Sequence, residues 1–461
     1  MKTFGKAGDA GRTAIVLSAL LIFAQPAANT PAAEYPENNT EYRADTTENR
    51  SAGKTEDTQE NGRINAPDDL PSCYNVCDEG RQPAVESQGE YETCWAFTAL
   101  SAIESRLMPR QQLRFSADHM SLNNAFTADV QDGGDYRMIM AYLAGWQGPV
   151  LEEEDPYGDG VTVDGLTPAV HVQEIRYLKG KSTEEIKQEI YTYGPIQTSL
   201  YMSRATTEEG SGYYNPETFS YYCPDEFKVI HDALVLGWDD HFSRNNFKIE
   251  PPGDGAFICQ NTWGTDFGDG GIYYLSYYDA NAAQGGLAFS SIQTKDNYDM
   301  IYQTDPCGWQ KSVGMGSETC VISNVYTAKS DQMLKAAGFY AVRPDTEYEV
   351  YIYPEDQIGG LPSLSAWIPA GSGVLADAGY YTVRLDRSLA VKQGTEFAAA
   401  VRLTSPGTSK PAAVETKHDI YTQNVTTDGK RGYISKDGEI WLSAEENFDA
   451  NICLKVYAVQ E

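Results

Sequence analysis

"SQGEYETCWAFTALSAIESRL", residues 87–107, turns from polar, glycine-bearing sequence into an amphipathic helix at a cysteine. Ala96, Leu100, Ile103 and Leu107 recur at helical spacing and predict one buried stripe. With Thr93 as N-cap, Cys94 falls in the first turn, where free backbone N–H groups and the positive end of the helix dipole favour an anion. A thiol placed there is either an inert buried side chain or a nucleophile, since a helix N-terminus and an imidazolium together lower a thiol's pKa. Position alone leaves both readings open.

A nucleophilic thiol needs a base, and the chain has five histidines: His119, His171, His231, His241 and His418. His231 opens "HDALVLGW", an apolar strand that would hold it on a rigid element. Asn261, in "ICQNTWGTDFGDGG" on the next strand, would orient the imidazole through its carbonyl, and Trp263 would shield the pair from water. The other histidines have plainer readings. His241 lies in a polar loop, His119 reads as helix surface or a packed contact, and His171 and His418 lack ligand partners in sequence. No HExxH, CxxC or aspartate-rich calcium loop occurs, so no metal and no cofactor is expected.

Three separated segments carry a resemblance to the papain-like cysteine peptidases. "SQGEYETCWAFTALSAIES" resembles the nucleophile segment of that family, "HDALVLGW" its histidine strand, and "QNTWGTDFGDGGIYYL" its asparagine motif. "DGGDYRMIMAYL", "GPVLEEEDPYG" and "IKQEIYTYGPI" fall between them in the family's order. The resemblance covers roughly residues 67–293. It implies an α+β fold of two lobes, one helical and one β-barrel-like. It also implies Cys94 as nucleophile, His231 as general base and acid in a thiolate–imidazolium pair, Asn261 as orienter and Gln88 in the oxyanion hole. Gly133 and Gly134 would form the wall that pairs with an extended substrate, and Ser199 the floor of the pocket beside the scissile residue. Trp263 is placed with these substrate-side residues.

The chain departs from the family in several places. Tyr91 and Glu92 stand where the family carries a cysteine and a glycine, so the disulfide anchored there is absent, and Glu92 brings an anion towards the thiol. "DDHFSRNNFKIEPPGDGA" lengthens the interval between His231 and Asn261 and predicts an extended hairpin near the site, able to close one end of the cleft. The family's long helical propeptide has no counterpart in residues 34–66.

At 461 residues the chain exceeds one ordinary core. Lys2, Lys6 and Arg12 precede an apolar run from Ala14 to Ala24, the layout of a signal peptide over residues 1–33. An acidic linker or short pro-segment is expected over 34–66, a peptidase domain over 67–296 and an all-β sandwich over 297–461. Helices are expected at Tyr136 to Leu143 and after Ser182, stopped by Gly194. Beyond residue 297, "TEYEVYIYPE", "YYTVRLDRSLAV" and "EFAAAVRLTS" alternate as strands, and "TTDGKRGYISKDGEIWL" supplies hairpin turns. "SNVYTAKSDQMLKAAGFYAV" and "YEVYIY" resemble the lectin-like β-domain appended to bacterial peptidases of this family, which implies glycans as partners.

A net charge of −31 argues against nucleic acid. Peptide or protein substrates, an exported or envelope location and no membrane span after signal removal complete the expectation. Eight cysteines in an exported chain permit disulfides, and Cys307 with Cys320 could close a local loop. The rival reading is a catalytically silent adhesion or glycan-binding protein on a peptidase scaffold. The intact set of Cys94, His231, Asn261 and Gln88 speaks against it, and the long Cys–His interval speaks against a peptidoglycan amidase.

Overall fold

Cys94–Leu107 forms the predicted helix, and its burial goes beyond one stripe: every residue from Cys94 to Ser105 is buried. A helix covered on all sides is a core helix, and Ala96, Ala99, Ala102 and Ser105 let its neighbours approach closely. Thr93 is the N-cap residue but makes no capping bond. Its hydroxyl instead meets the Tyr157 hydroxyl at 2.6 Å, tying the helix start to the neighbouring loop. Within the helix, Glu104 accepts from the Phe115 N–H at 2.8 Å, and burial pushes its carboxyl up to about 8.

The computed structural model describes residues 69–461 apart from 209–210, 283–285 and 356. The signal peptide and acidic linker expected over 1–66 lie outside the described residues. Three further helices flank the core one. Ala117–Leu122 is capped by Ser116, and Tyr136–Ala144 by Asp135, which accepts from the Arg137 and Met138 N–H groups. Thr183–Tyr193 begins in a capping box of Ser182 and Glu185 and stops at Gly194, as the sequence predicts.

The strand His231–Asp239 lies between Ile196–Leu200 and Ala256–Gln260, antiparallel to both. Its first residue is His231, and Asn261 directly follows the end of the neighbouring strand. The segment inserted after Asp240 is therefore far from His231, about 26 Å along a nine-residue strand at ~3.3 Å per residue. Its Phe242 and Phe247 pack on Tyr222, Ala256 and Tyr274. This corrects the expectation of a hairpin beside the site: the insertion extends the far end of the sheet and closes no cleft.

The C-terminal region is a sandwich. Its six-stranded sheet runs Ile368–Leu375, Thr346–Glu355, Glu396–Thr404, Thr319–Thr327, Gly432–Ser435, Leu442–Ser443. Leu334, Phe339, Val350, Ile352, Phe397 and Val401 fill its core. The facing layer includes Gln332–Ala341 and Ala378–Val391, and it does not end at the sandwich. Ala378–Tyr381 pairs antiparallel with Glu174–Tyr177 of the strand Val170–Tyr177, giving one 13-stranded sheet through both regions. Gly379 is required at this seam, because a Cβ there would lie 2.0 Å from the Ile175 carbonyl oxygen. Beside it the Asp377 carboxylate is bonded to Arg176 and, at 2.7 Å, to Lys181.

All eight cysteines are unpaired. Cys307 and Cys320 do not bridge: the Cys307 sulfur donates to the Ala125 carbonyl, and Cys320 sits in the sandwich core.

Candidate functional site

The start of the core helix meets the start of the His231 strand. The backbone N–H groups of Asp232, directly after His231, and of Trp95 face the Cys94 sulfur and favour its anion. His231 is buried, and its Nε2 lies 2.8 Å from Asn261 Oδ1. An amide oxygen can only accept, so Nε2 carries the proton and Nδ1 keeps its lone pair. The same Oδ1 accepts from the Thr262 N–H at 2.7 Å, and Asn261 Nδ2 rests on Met202 Sδ at 3.8 Å, so the amide is held at both ends.

Gln88 reaches the site because two loops are stitched together. Its backbone N–H donates to the Thr262 carbonyl at 2.8 Å, Ser87 bridges to Trp263, and the Gly264 N–H donates to the Glu86 carbonyl at 2.9 Å. Gln88 Oε1 accepts from the Thr262 hydroxyl at 2.5 Å, and its Nε2 donates to the Tyr91 carbonyl at 2.6 Å. The amide carries two N–H groups, and that bond uses one. Trp263 covers the imidazole with ring centroids 4.8 Å apart, and Phe267 stands edge-on behind it at 5.0 Å.

Burial opposes ionisation of both Cys94 and His231. It pushes the Cys94 thiol up, and the Asp232 carboxyl and then Glu92 add to this, the last as its place in the sequence predicts. Burial lowers His231 to about 4, with the Arg204 guanidinium adding to the effect and Asn261 opposing it. Neither group ionises readily alone.

The structure thus brings Cys94, His231, Asn261, Gln88 and Trp263 together. Gly133 and Gly134 border the same place, and the reason for a glycine differs between them. Gly133 has φ +76°, while a Cβ on Gly134 would lie 2.3 Å from the Trp95 indole. The close approach demanded at Gly134 is thus to Trp95 beneath it. Ser199 pairs in register with Asp232 and hydrogen-bonds its carboxyl.

Three residues escape the sequence reading. Thr262 supports Gln88, Arg204 lies 5.2 Å over the Trp263 ring, and Asp232 follows His231 with its N–H and its carboxyl both acting on the Cys94 sulfur. Asp232 had a visible signal, a charged residue inside the otherwise apolar "HDALVLGW".

Residues 70–292 match the model of the papain family cysteine protease, and residues 301–458 that of a lectin like domain. The chain carries a papain-family cysteine protease domain followed by a lectin-like domain. Mouse cathepsin K is 24% identical over 219 residues, which are 46% of this chain and 62% of the mouse protein. Feline procathepsin L is 26% identical over 231 residues, 48% of this chain and 65% of the cat protein. Both matches take in less than two thirds of the relative's own length. Among solved structures, the clostridial cysteine protease Cwp84 after propeptide cleavage superposes with a TM-score of 0.75 at 22% identity, covering 85% of this chain and all of that one. The cysteine protease and lectin-like domains of Cwp84, a surface layer associated protein of Clostridium difficile, give a TM-score of 0.74, also at 22% identity, over 87% of this chain and 91% of that one. The papain-like fold with an appended all-β domain is shared with the Cwp84 structures.

Proposed function

We propose that the chain is an exported cysteine peptidase in which Cys94 attacks a peptide carbonyl. The carrying observation is the 2.8 Å bond from His231 to Asn261, which leaves Nδ1 free as a base while the Asp232 N–H faces the Cys94 sulfur. The Cys94 proton passes to His231 Nδ1 as the carbon–sulfur bond forms. The second N–H of Gln88 and the Cys94 backbone N–H face the developing oxyanion. The amine then leaves with the proton from His231, giving a thioester. A water, deprotonated by His231, splits the thioester, and the proton returns to the sulfur. Trp263 keeps bulk water from the imidazole. Gly133, Gly134 and Ser199 line the path of the substrate.

We divide the chain into a peptidase domain, 67–296, and a β-domain, 297–461, with the β-domain as the part that meets glycans. Export to the cell envelope rests on the apolar run at Ala14–Ala24 and on the surface-layer association of Cwp84. No helix among the described residues is long and apolar enough to cross a membrane.

Cys94→Ala in the processed protein tests this reading. Hydrolysis of a fluorogenic peptide under reducing conditions should fall by at least about 10³-fold, since the nucleophile itself is gone. Undiminished hydrolysis would overturn it, and an inactive wild type would favour the scaffold reading.

A further inference from the structure

Asp232 is buried, directly follows His231, and turns its own N–H towards the Cys94 sulfur. Its carboxyl is held by neutral groups only. Ser199 and Gln197 donate to it from the paired strand, and the nearest charge acting on it is another carboxylate, Asp135 at the cap of the helix Tyr136–Ala144. Among the described residues no cation offsets this acid. A second acceptor lies beside it. Gln197 is fully buried and directs its amide at Ser199 and Asp232, while its Oε1 has no partner. The buried carboxyl thus has a hydroxyl and an amide but no positive charge to offset it, and the amide oxygen beside it has no partner. A buried acid held by neutral donors alone costs free energy in the empty enzyme.

The half-buried Ser199 pairs in register with Asp232, and the exposed Gly134 directly precedes Asp135, whose carboxylate acts on Asp232. Charge at the opposite rim has the other sign: Arg204 is exposed, lies over Trp263 and donates to the Gly89 carbonyl. The site is therefore polarised, acidic towards Gly134 and basic towards Trp263.

We infer that Asp232 is a specificity residue that selects a cationic peptide side chain, lysine or arginine, beside the scissile bond. The cation supplies the positive charge that the Asp232 carboxylate lacks in the empty site. A neutral side chain leaves that charge uncompensated, and an acidic one adds a second. This rests on the peptidase reading and deepens it by naming the substrate class.

The test is a peptide library randomised at the two residues on either side of the scissile bond, digested by the wild type and by Asp232→Asn. Wild type should favour Lys or Arg at one of these positions by about tenfold or more in kcat/KM over an uncharged side chain of similar length. Asp232→Asn should reduce that ratio to within about threefold of unity, and Asp232→Glu, which keeps the charge, should retain most of it. If Asp232→Asn does not fold, the wild-type profile decides alone. A wild type without cationic preference, or a preference undiminished in Asp232→Asn, overturns the inference. Cys94-dependent cleavage of uncharged peptides in the same digests would show that the peptidase reading stands even then.

Discussion

Asp305 in the lectin-like domain and Asp232 in the protease domain are both buried, and their surroundings differ in kind. Asp305 faces Lys455 at 2.7 Å, with side chains 0% and 1% exposed. Asp232 faces a hydroxyl, an amide and another acid. A buried ion pair is a structural joint, whose removal from one side leaves a bare charge in low dielectric. A buried acid without a cation costs the fold free energy, at Glu104 as at Asp232. The joints reach across as well. Arg137 bonds Asp135 at 2.7 Å and Asp419 of the lectin-like domain at 3.3 Å. Thr127 takes backbone contacts from Ile420 and Tyr421, so the segment leading to Gly133 and Gly134 is braced from the second domain.

The contrast breaks first at Lys455. Lys455→Ala should destabilise the protein by about 3–5 kcal/mol, read by urea unfolding, because Asp305 is left charged and alone. Asp232→Asn in the same assay should lose nothing or gain stability, and equal losses at both positions would erase the distinction.

A smaller effect is expected from pH. Burial raises Asp232 to about 7, Glu104 to about 8 and, in the lectin-like domain, Glu415 to about 7. The folded state then binds more protons than the unfolded state between about pH 4 and pH 8, so these groups stabilise at low pH and lose that contribution as pH rises through their folded values. His231, lowered to about 4, acts in the opposite sense: its contribution is lost as pH falls from about 6.5 towards 4. His119, His171 and His418 are lowered as well, and burial raises Glu189 to about 7 and Asp279 to about 6. The raised acids outweigh the lowered histidines, so Tm should be higher at pH 5 than at pH 8. A flat or inverted profile would show that these carboxyls are compensated.

Arg137→Ala should have the smallest effect, about 1 kcal/mol in stability. It should raise KM more than it lowers kcat, because the wall carrying Gly133 and Gly134 loses its brace while Cys94 is untouched. A change confined to kcat would place Arg137 nearer the chemistry than its contacts do.

Much of the site is readable in order along the chain. The core helix announces itself by its period, and His231 and Asn261 sit at strand ends that the apolar runs delimit. What escapes is long-range. The placement of "DDHFSRNNFKIEPPGDGA" depends on strand length, which decides the end of the sheet a loop occupies. The isolation of Asp232 depends on what acts on it from other elements, a hydroxyl, an amide and Asp135 with no cation among the described residues, and local pattern carries no trace of that. The seam between Val170–Tyr177 and Ala378–Val391 is a pairing of distant segments, each of which reads as an ordinary strand.

That seam has a practical corollary for anyone preparing the catalytic part alone. A chain cut near residue 297 would strip the outer neighbour from Val170–Tyr177 and bare a ladder of backbone donors and acceptors to solvent. Such a ladder templates pairing with other copies. The truncated protease would therefore be expected to self-associate through this strand, and a soluble short form would need a charged or proline-bearing guard along it.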